Sequence, residues 1–128
     1  MIITGDTDIY NLIINDPTIT AELGTFGGNP AVFNDILVPS TFKGKASINL
    51  YPINSIAGGI EYTRVNYSVN CRANDYPSCK SIANNVVNLL NRYNQNGYFL
   101  VANIQAVIRP ENELDTYNIP IEVIYRSK

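Results

Sequence analysis

The longest alternation of apolar and polar positions runs from Ile60 to Ala73. Val65, Tyr67, Val69 and Cys71 fall on one side and Arg64, Asn66, Ser68, Asn70 and Arg72 on the other, which predicts a strand with one face on a core and one towards water. Its start is less tidy, because Ile60 and Tyr62 share the otherwise polar side, so that end is expected to be covered. The period then changes to that of a helix. Cys79, Ile82, Ala83, Val86, Leu89, Leu90 and Tyr93 recur at i, i+3, i+4, i+7 and form one stripe, while Lys80, Asn84, Asn85, Asn88, Asn91 and Arg92 form the other face. Asp75 or Ser78 caps this helix, Pro77 fits its first turn, and Gly97 in Asn94-Gln95-Asn96-Gly97 is its expected terminator.

Tyr98 to Arg109 reads as a strand apolar on both faces, with Tyr98, Leu100, Ala102, Ile104, Ala106 and Ile108 on one and Phe99, Val101 and Val107 on the other. Such a strand is either central and covered on both sides or lends its second face to a partner chain. After the polar, acidic connection 110–116, Tyr117, Ile119, Ile121, Val123 and Tyr125 alternate in a last strand. It pairs with its predecessor as a hairpin, and Pro120 puts it at an edge or a bulge.

Before the long strand the signals are shorter. Asp6 caps a turn with Ile9, Leu12 and Ile13 on one face; Asp16-Pro17 is a cap followed by a first-turn proline, with Ile19 and Leu23 inward and Gly24 as the stop. Residues 24–30 read as a flexible loop, Ala31 to Pro39 as a short strand broken at Asn34-Asp35, and Ser47 to Tyr51 as a strand that Pro52 ends or holds at an edge. Residues 52–59 read as a second loop. The expected fold is α+β: a largely antiparallel four- to five-stranded sheet, with the main amphipathic helix and the N-terminal helices packed on one face.

At 128 residues the chain is expected to be one domain spanning 1–128. Nine Lys and Arg stand against 11 Asp and Glu without clustering, so no basic patch suits a duplex phosphate backbone. The sequence has no histidine, which removes Ser-His-Asp and Cys-His nucleophile systems, imidazole bases and every His-containing zinc site. Two cysteines cannot close a structural zinc site. The start lacks a signal-peptide pattern, and no run approaches the roughly 18–20 apolar residues of a membrane span, so no membrane partner is expected and the protein is expected to stay in the cytoplasm of the cell that makes it. A disulfide between Cys71 and Cys79 is sterically open, but that compartment favours reduced, buried thiols.

Glu111, Glu113 and Asp115 are the closest carboxylates, yet they lack the glycine and terminal glutamate of a calcium loop and read as a solvated turn. Gly27-Gly28 and Gly58-Gly59 belong to no phosphate-binding motif and read as hinges. Nine tyrosines suit either a core rim or an interface, with Tyr51 and Tyr62 the ones pointing to an interface. Segments 24–30, 38–46 and 52–59 carry isolated apolar residues, Phe26, Phe42, Ile53 and Ile56, which either cover the sheet edge or reach a neighbour.

Three stretches carry a family resemblance: Asp16-Pro17-Thr18-Ile19-Thr20-Ala21-Glu22-Leu23 closing the opening helices, Val32 to Pro39 leading through a polar loop to Ile48 and Leu50, and the block of long strand, helix and hairpin that ends at Tyr117 to Arg126. In element order, lengths and hydrophobic spacing the chain resembles the tail terminator or tail completion proteins of long-tailed bacteriophages. The resemblance implies a homo-oligomeric ring, generally a hexamer, that caps the head-proximal end of the tail tube and docks to the head connector. Its partners would be the tail tube protein and the connector or neck protein, with DNA only passing through the lumen. It implies no enzymatic activity and no cofactor, and a place in the virion at the head–tail junction after assembly in the host cytoplasm. Phe42, Lys43, Lys45, Ile56, Ile60 and Tyr62 are the expected interface or ring-surface residues. The rival readings are a neck connector or minor capsid protein, and a small enzyme using carboxylate or tyrosine chemistry.

Overall fold

A computed structural model describes residues 5–35, 37–39, 42, 46–57, 63–110 and 116–127, with the backbone alone at 54–57 and 63. The elements in chain order are α1 (Gly5–Ile14), α2 (Pro17–Thr20), β1 (Thr25–Phe26), β2 (Asn29–Pro30), β3 (Val32–Phe33), β4 (Ala46–Ala57), β5 (Thr63–Ala73), α3 (Tyr76–Leu90), β6 (Asn94–Gln95), β7 (Tyr98–Ile104) and β8 (Tyr117–Ser127). β1 and β2 form a separate hairpin, and the other strands make a six-stranded sheet in the order β3-β4-β5-β8-β7-β6. Among the described residues only the β3–β4 pairing is parallel. The α+β class and the largely antiparallel sheet are as expected, with short β3 and β6 extending it beyond five strands.

α3 forms where its period and its cap agree. The Asp75 carboxylate accepts from the Ser78 amide at 2.9 Å and from the Ser78 hydroxyl at 3.0 Å, which holds its pKa below the usual range. Pro77 sits in the first turn, where its missing N–H costs no hydrogen bond. The stripe Cys79, Ile82, Ala83, Val86 and Leu90 is buried and packs across β5, β8 and β7. It meets Val65, Tyr67, Val69 and Cys71 of β5, Ile119, Ile121 and Val123 of β8, and Leu100 and Ala102 of β7 in a single core cluster. α1 adds Ile9 and Ile13 to this core, and α2 adds Ile19 under the cap that Asp16 makes on the Ile19 amide at 3.1 Å. Asn85 of α3 donates to Glu22 beyond α2, joining the two helical segments.

Several boundaries differ from the pattern-based expectation, each for a local reason. α1 begins at Gly5, so Asp6 lies inside its first turn and accepts from Asn34 at 3.0 Å instead of capping. α3 ends at Leu90, with Arg92 left-handed at φ 67°; Asn96 and Gly97, at φ 56° and 84°, are the two turn residues of the β6–β7 hairpin and do not terminate the helix. Gly27 and Gly28, at φ 60° and 83°, make the same kind of turn between β1 and β2 in what reads from the sequence as a loop. β4 continues to Ala57 through the predicted second loop, with a bulge between Pro52 and Asn54. Pro52 still holds an edge: the Ala46 carbonyl and Ile48 amide bond towards Gly24 and Ala31, so the donor missing at Pro52 is on that outer side, beyond the reach of β3.

β7 stops at Ile104, not at Arg109. Gln105 donates to the Pro120 carbonyl at 2.9 Å, but Pro120 has no N–H to return, and pairing resumes only at Ile108 and Asn118 with one extra residue on the β7 side. Pro120 therefore sits at a bulge in a central strand. The second face of β5 is not turned freely to water either. Asn66, Ser68 and Asn70 are buried between β4 and β8.

Candidate assembly surface

Phe26 on the β1–β2 hairpin, Phe33 on β3 and Phe42 gather at the β3 edge of the sheet. Their rings meet edge to face, with centroids 5.5 Å apart for Phe26–Phe33 and Phe33–Phe42 and 6.2 Å for Phe26–Phe42. Phe26 remains 39% exposed, and Leu37 and Ile53, on the segments beside this edge, are 74% and 53% exposed. Sequence reasoning selected Phe42, and it forms one corner of this cluster, half-buried. Ile56 pairs through its backbone with Arg64 in the β4–β5 ladder. The side chain of Ile56, and Lys43, Lys45, Ile60 and Tyr62 altogether, lie outside the described residues. Tyr51 is half-buried on β4.

A second apolar group lies where the chain leaves β7. Ile104, Val107 and Ile108 are 45%, 46% and 50% exposed, and Val107 shares a cleft with Tyr76 at the start of α3. Tyr76, Val107, Arg109 and Tyr117 line a cleft of about 360 Å³, with the Tyr76 and Tyr117 rings tilted against one another at 6.0 Å. Sequence reasoning placed no site here, although Val107 belongs to the doubly apolar pattern read as either a strand covered on both sides or one that lends a face to a partner. Among the described residues, the exposed large apolar side chains are Phe26, Leu37, Ile53, Tyr76, Ile104, Val107 and Ile108. Patches of this kind mark contact surfaces.

Between the two edges the sheet face opposite the helices is polar. Asn118 donates to Asn70 at 3.4 Å, Asn70 to the Ser68 hydroxyl at 3.2 Å, Arg72 to Asn49 at 3.2 Å, and Asn49 to the Asp35 carbonyl at 3.2 Å. Asn66 Oδ1, Asn118 Oδ1 and Arg64 Nε are buried without a hydrogen-bond partner among the described residues. These are neutral amides and always-charged guanidiniums, which bind but do not move protons.

The remaining chemistry serves the fold. Tyr93, Tyr98 and Tyr125 stack at 5.3 and 5.0 Å, Tyr67 meets Tyr125 edge-on at 6.2 Å, and the Tyr125 hydroxyl donates to Asp8 at 2.8 Å. Burial pushes the Tyr67 phenol up to about 12, helped by the charge of Asp6, and burial together with Tyr93 raises Tyr98 further, so neither ionises near neutrality. Asp8 and Asp16 share a cleft with Tyr98, but one is held by Tyr125 and the other caps α2. Cys71 and Cys79 are buried, the Cys79 thiol donating to the Cys71 carbonyl at 3.1 Å, and desolvation raises both thiol pKa values away from the reactive thiolate. Among the described residues no three His, Cys, Asp or Glu side chains are grouped to hold a metal ion, and no helix is long and apolar enough to cross a membrane. Glu111, Glu113 and Asp115 lie outside the described residues.

The fold is shared with a virion chain. A solved chain from the virion of a native gene transfer agent particle superposes with a TM-score of 0.69, covering 95% of this chain and 92% of that one at 17% sequence identity. No protein-family model and no curated protein sequence matches. At that identity the likeness establishes the common fold, and it does so over nearly the whole of both compared chains.

Proposed function

We propose that the chain is a non-enzymatic structural subunit of a phage-like particle, a tail terminator that closes into a ring at the head-proximal end of the tail tube and docks to the head connector. The observation that carries this reading is the near full-length fold shared with a chain of a gene transfer agent virion. The two apolar sheet edges support it, since a subunit with distinct contact surfaces on either side joins others head to tail. A hexamer is the expected ring, with tail tube and connector proteins as its neighbours and DNA only as it passes the lumen. The engaged carboxylates, raised phenols and buried thiols favour this over the small-enzyme reading.

Phe42, Lys43, Lys45, Ile56, Ile60 and Tyr62 are proposed as ring-surface residues, and Phe42 already takes part in an edge cluster. Replacing Ile60 and Tyr62 by Asp is expected to give folded monomers; rings that persist unchanged remove these two from the interface. The function itself is tested by adding the purified chain to polymerising tail tubes and, separately, to portal or connector complexes. A terminator shortens the tubes and labels one end. A chain that leaves tube growth unaltered and binds only the portal is a neck connector instead.

A further inference from the structure

Asp8, Asn11, Leu12 and Asn15 recur at i, i+3, i+4 and i+7, one stripe of α1 that Asn15 prolongs by donating its backbone amide to the Asn11 carbonyl at 3.2 Å. Asn85, Asn88 and Leu89 form a shorter stripe on α3. The two stripes line a groove made of two adjoining clefts, of about 530 and about 380 Å³, which share Asp16 and Leu89. Both volumes are those of small-ligand sites. Part of the lining already serves the fold: Tyr125 holds Asp8 Oδ2, the Ile19 amide holds Asp16 Oδ1, and Asn85 donates to Glu22. The other carboxylate oxygens of Asp8 and Asp16 and the side-chain amides of Asn11, Asn15 and Asn88 make no hydrogen bond among the described residues. Asparagine is a weak helix former, so these amides do not stand on exposed helix faces for the sake of helix stability.

We propose that this groove binds an uncharged carbohydrate. The chemistry of the lining selects it. Asp8 and Asp16 repel an anion, and among the described residues no Lys or Arg lines the groove to offset them. A metal ion or an ammonium group would satisfy the two carboxylates and leave the N–H groups of the amides without acceptors. The recurring modes of peptide capture need an open sheet edge, an apolar or aromatic-lined groove or an arginine cluster, whereas this groove lies between helices and offers Leu12 and Leu89 as its only aliphatic lining among the described residues. A hydroxyl both donates and accepts, so it pairs with a carboxylate oxygen, an amide oxygen or an amide N–H alike. A neutral ring bearing several hydroxyls therefore meets every polar group on both stripes, with its C–H faces on the two leucines. The site lies apart from both apolar groups of the sheet edges and does not depend on closure into a ring.

The test reads the labelled full-length chain on an array of neutral, sialylated and sulfated glycans. Neutral glycans should bind and acidic ones should not. The strongest neutral binder is then titrated by NMR, where the side-chain amide signals of Asn11, Asn15 and Asn88 should move. Its affinity should be the same at about 0.05 and about 0.5 M NaCl, since no charge is paired. Asn11→Ala combined with Asn88→Ala should weaken binding about tenfold, the loss of two amide contacts. Both positions are exposed and alanine is the better helix former, so circular dichroism should show the variant folded. An array without a neutral binder, binding confined to acidic glycans, or a neutral glycan that binds the double variant as well as the parent overturns the assignment. An oligolysine peptide and a neutral Gly-Ser peptide are titrated in parallel; if either moves these amides and no sugar does, the groove is a peptide site and the carbohydrate assignment falls. None of these outcomes bears on the ring, which is read separately by native mass spectrometry.

Discussion

Tyr125 on the last strand donates its hydroxyl to Asp8 on the first helix at 2.8 Å, across 117 positions of sequence. The contact clamps α1 onto the sheet beside the stacked Tyr98 ring, where Tyr125 is only 7% exposed. Tyr125→Phe keeps the ring and removes the bond to a charged acceptor. Urea unfolding should show a loss of about 1–2 kcal/mol with an unchanged m value. A loss below about 0.3 kcal/mol would mean that water replaces the hydroxyl without cost.

Gly5 packs where no side chain fits. A Cβ at Gly5 would lie 2.7 Å from the Tyr67 hydroxyl and 2.9 Å from the Tyr125 ring, two buried side chains packed edge-on against one another. Alanine is otherwise the better helix former, so propensity predicts a gain at this position and packing a loss. Packing should win: Gly5→Ala is expected to destabilise by about 1–3 kcal/mol, the usual cost of overfilling a core. A higher melting temperature in this variant would show that α1 shifts freely on the sheet.

The buried phenols set the alkaline limit of stability. Tyr67 titrates at about 12 in the folded chain because burial, and then the charge of Asp6, disfavours the phenolate; an unfolded tyrosine titrates near 10. A folded pKa above the unfolded one means that the contribution is complete below about pH 10 and is lost as pH rises from there through about 12. Tyr98 shifts in the same direction, first through burial. Absorbance at 295 nm should therefore show part of the nine tyrosines ionising only with unfolding, and the melting temperature should fall in that window. All nine titrating together near 10 in a folded protein would contradict this packing.

The local signals in the sequence carried far. The Asp75 cap, the Cys79 to Leu90 stripe and the alternations of β5 and β8 appear where the pattern predicts them, because each depends on neighbours a few positions away. What the pattern missed depends on distant partners. β4 persists past Pro52 because β5 pairs with it as far as Ala57 and Thr63, and β7 stops early because a proline far along the chain lacks a donor. Asn66, Ser68 and Asn70 alternate like a wet face, yet their strand is central, and small amides between two flanking strands are buried without being apolar. The same holds for the contact surface. Phe42 stood out as an isolated apolar residue in a polar stretch, whereas Tyr76, Val107 and Tyr117 come together only when α3, the segment after β7 and β8 are assembled.

Closure into a ring is the central claim, and native mass spectrometry of the purified chain combined with negative-stain microscopy tests it most directly. A single closed oligomer, expected to be a hexamer, seen as rings of uniform diameter and retained on the ends of tail tubes, is the predicted result. A strict monomer at every concentration that also ignores tail tubes would contradict it.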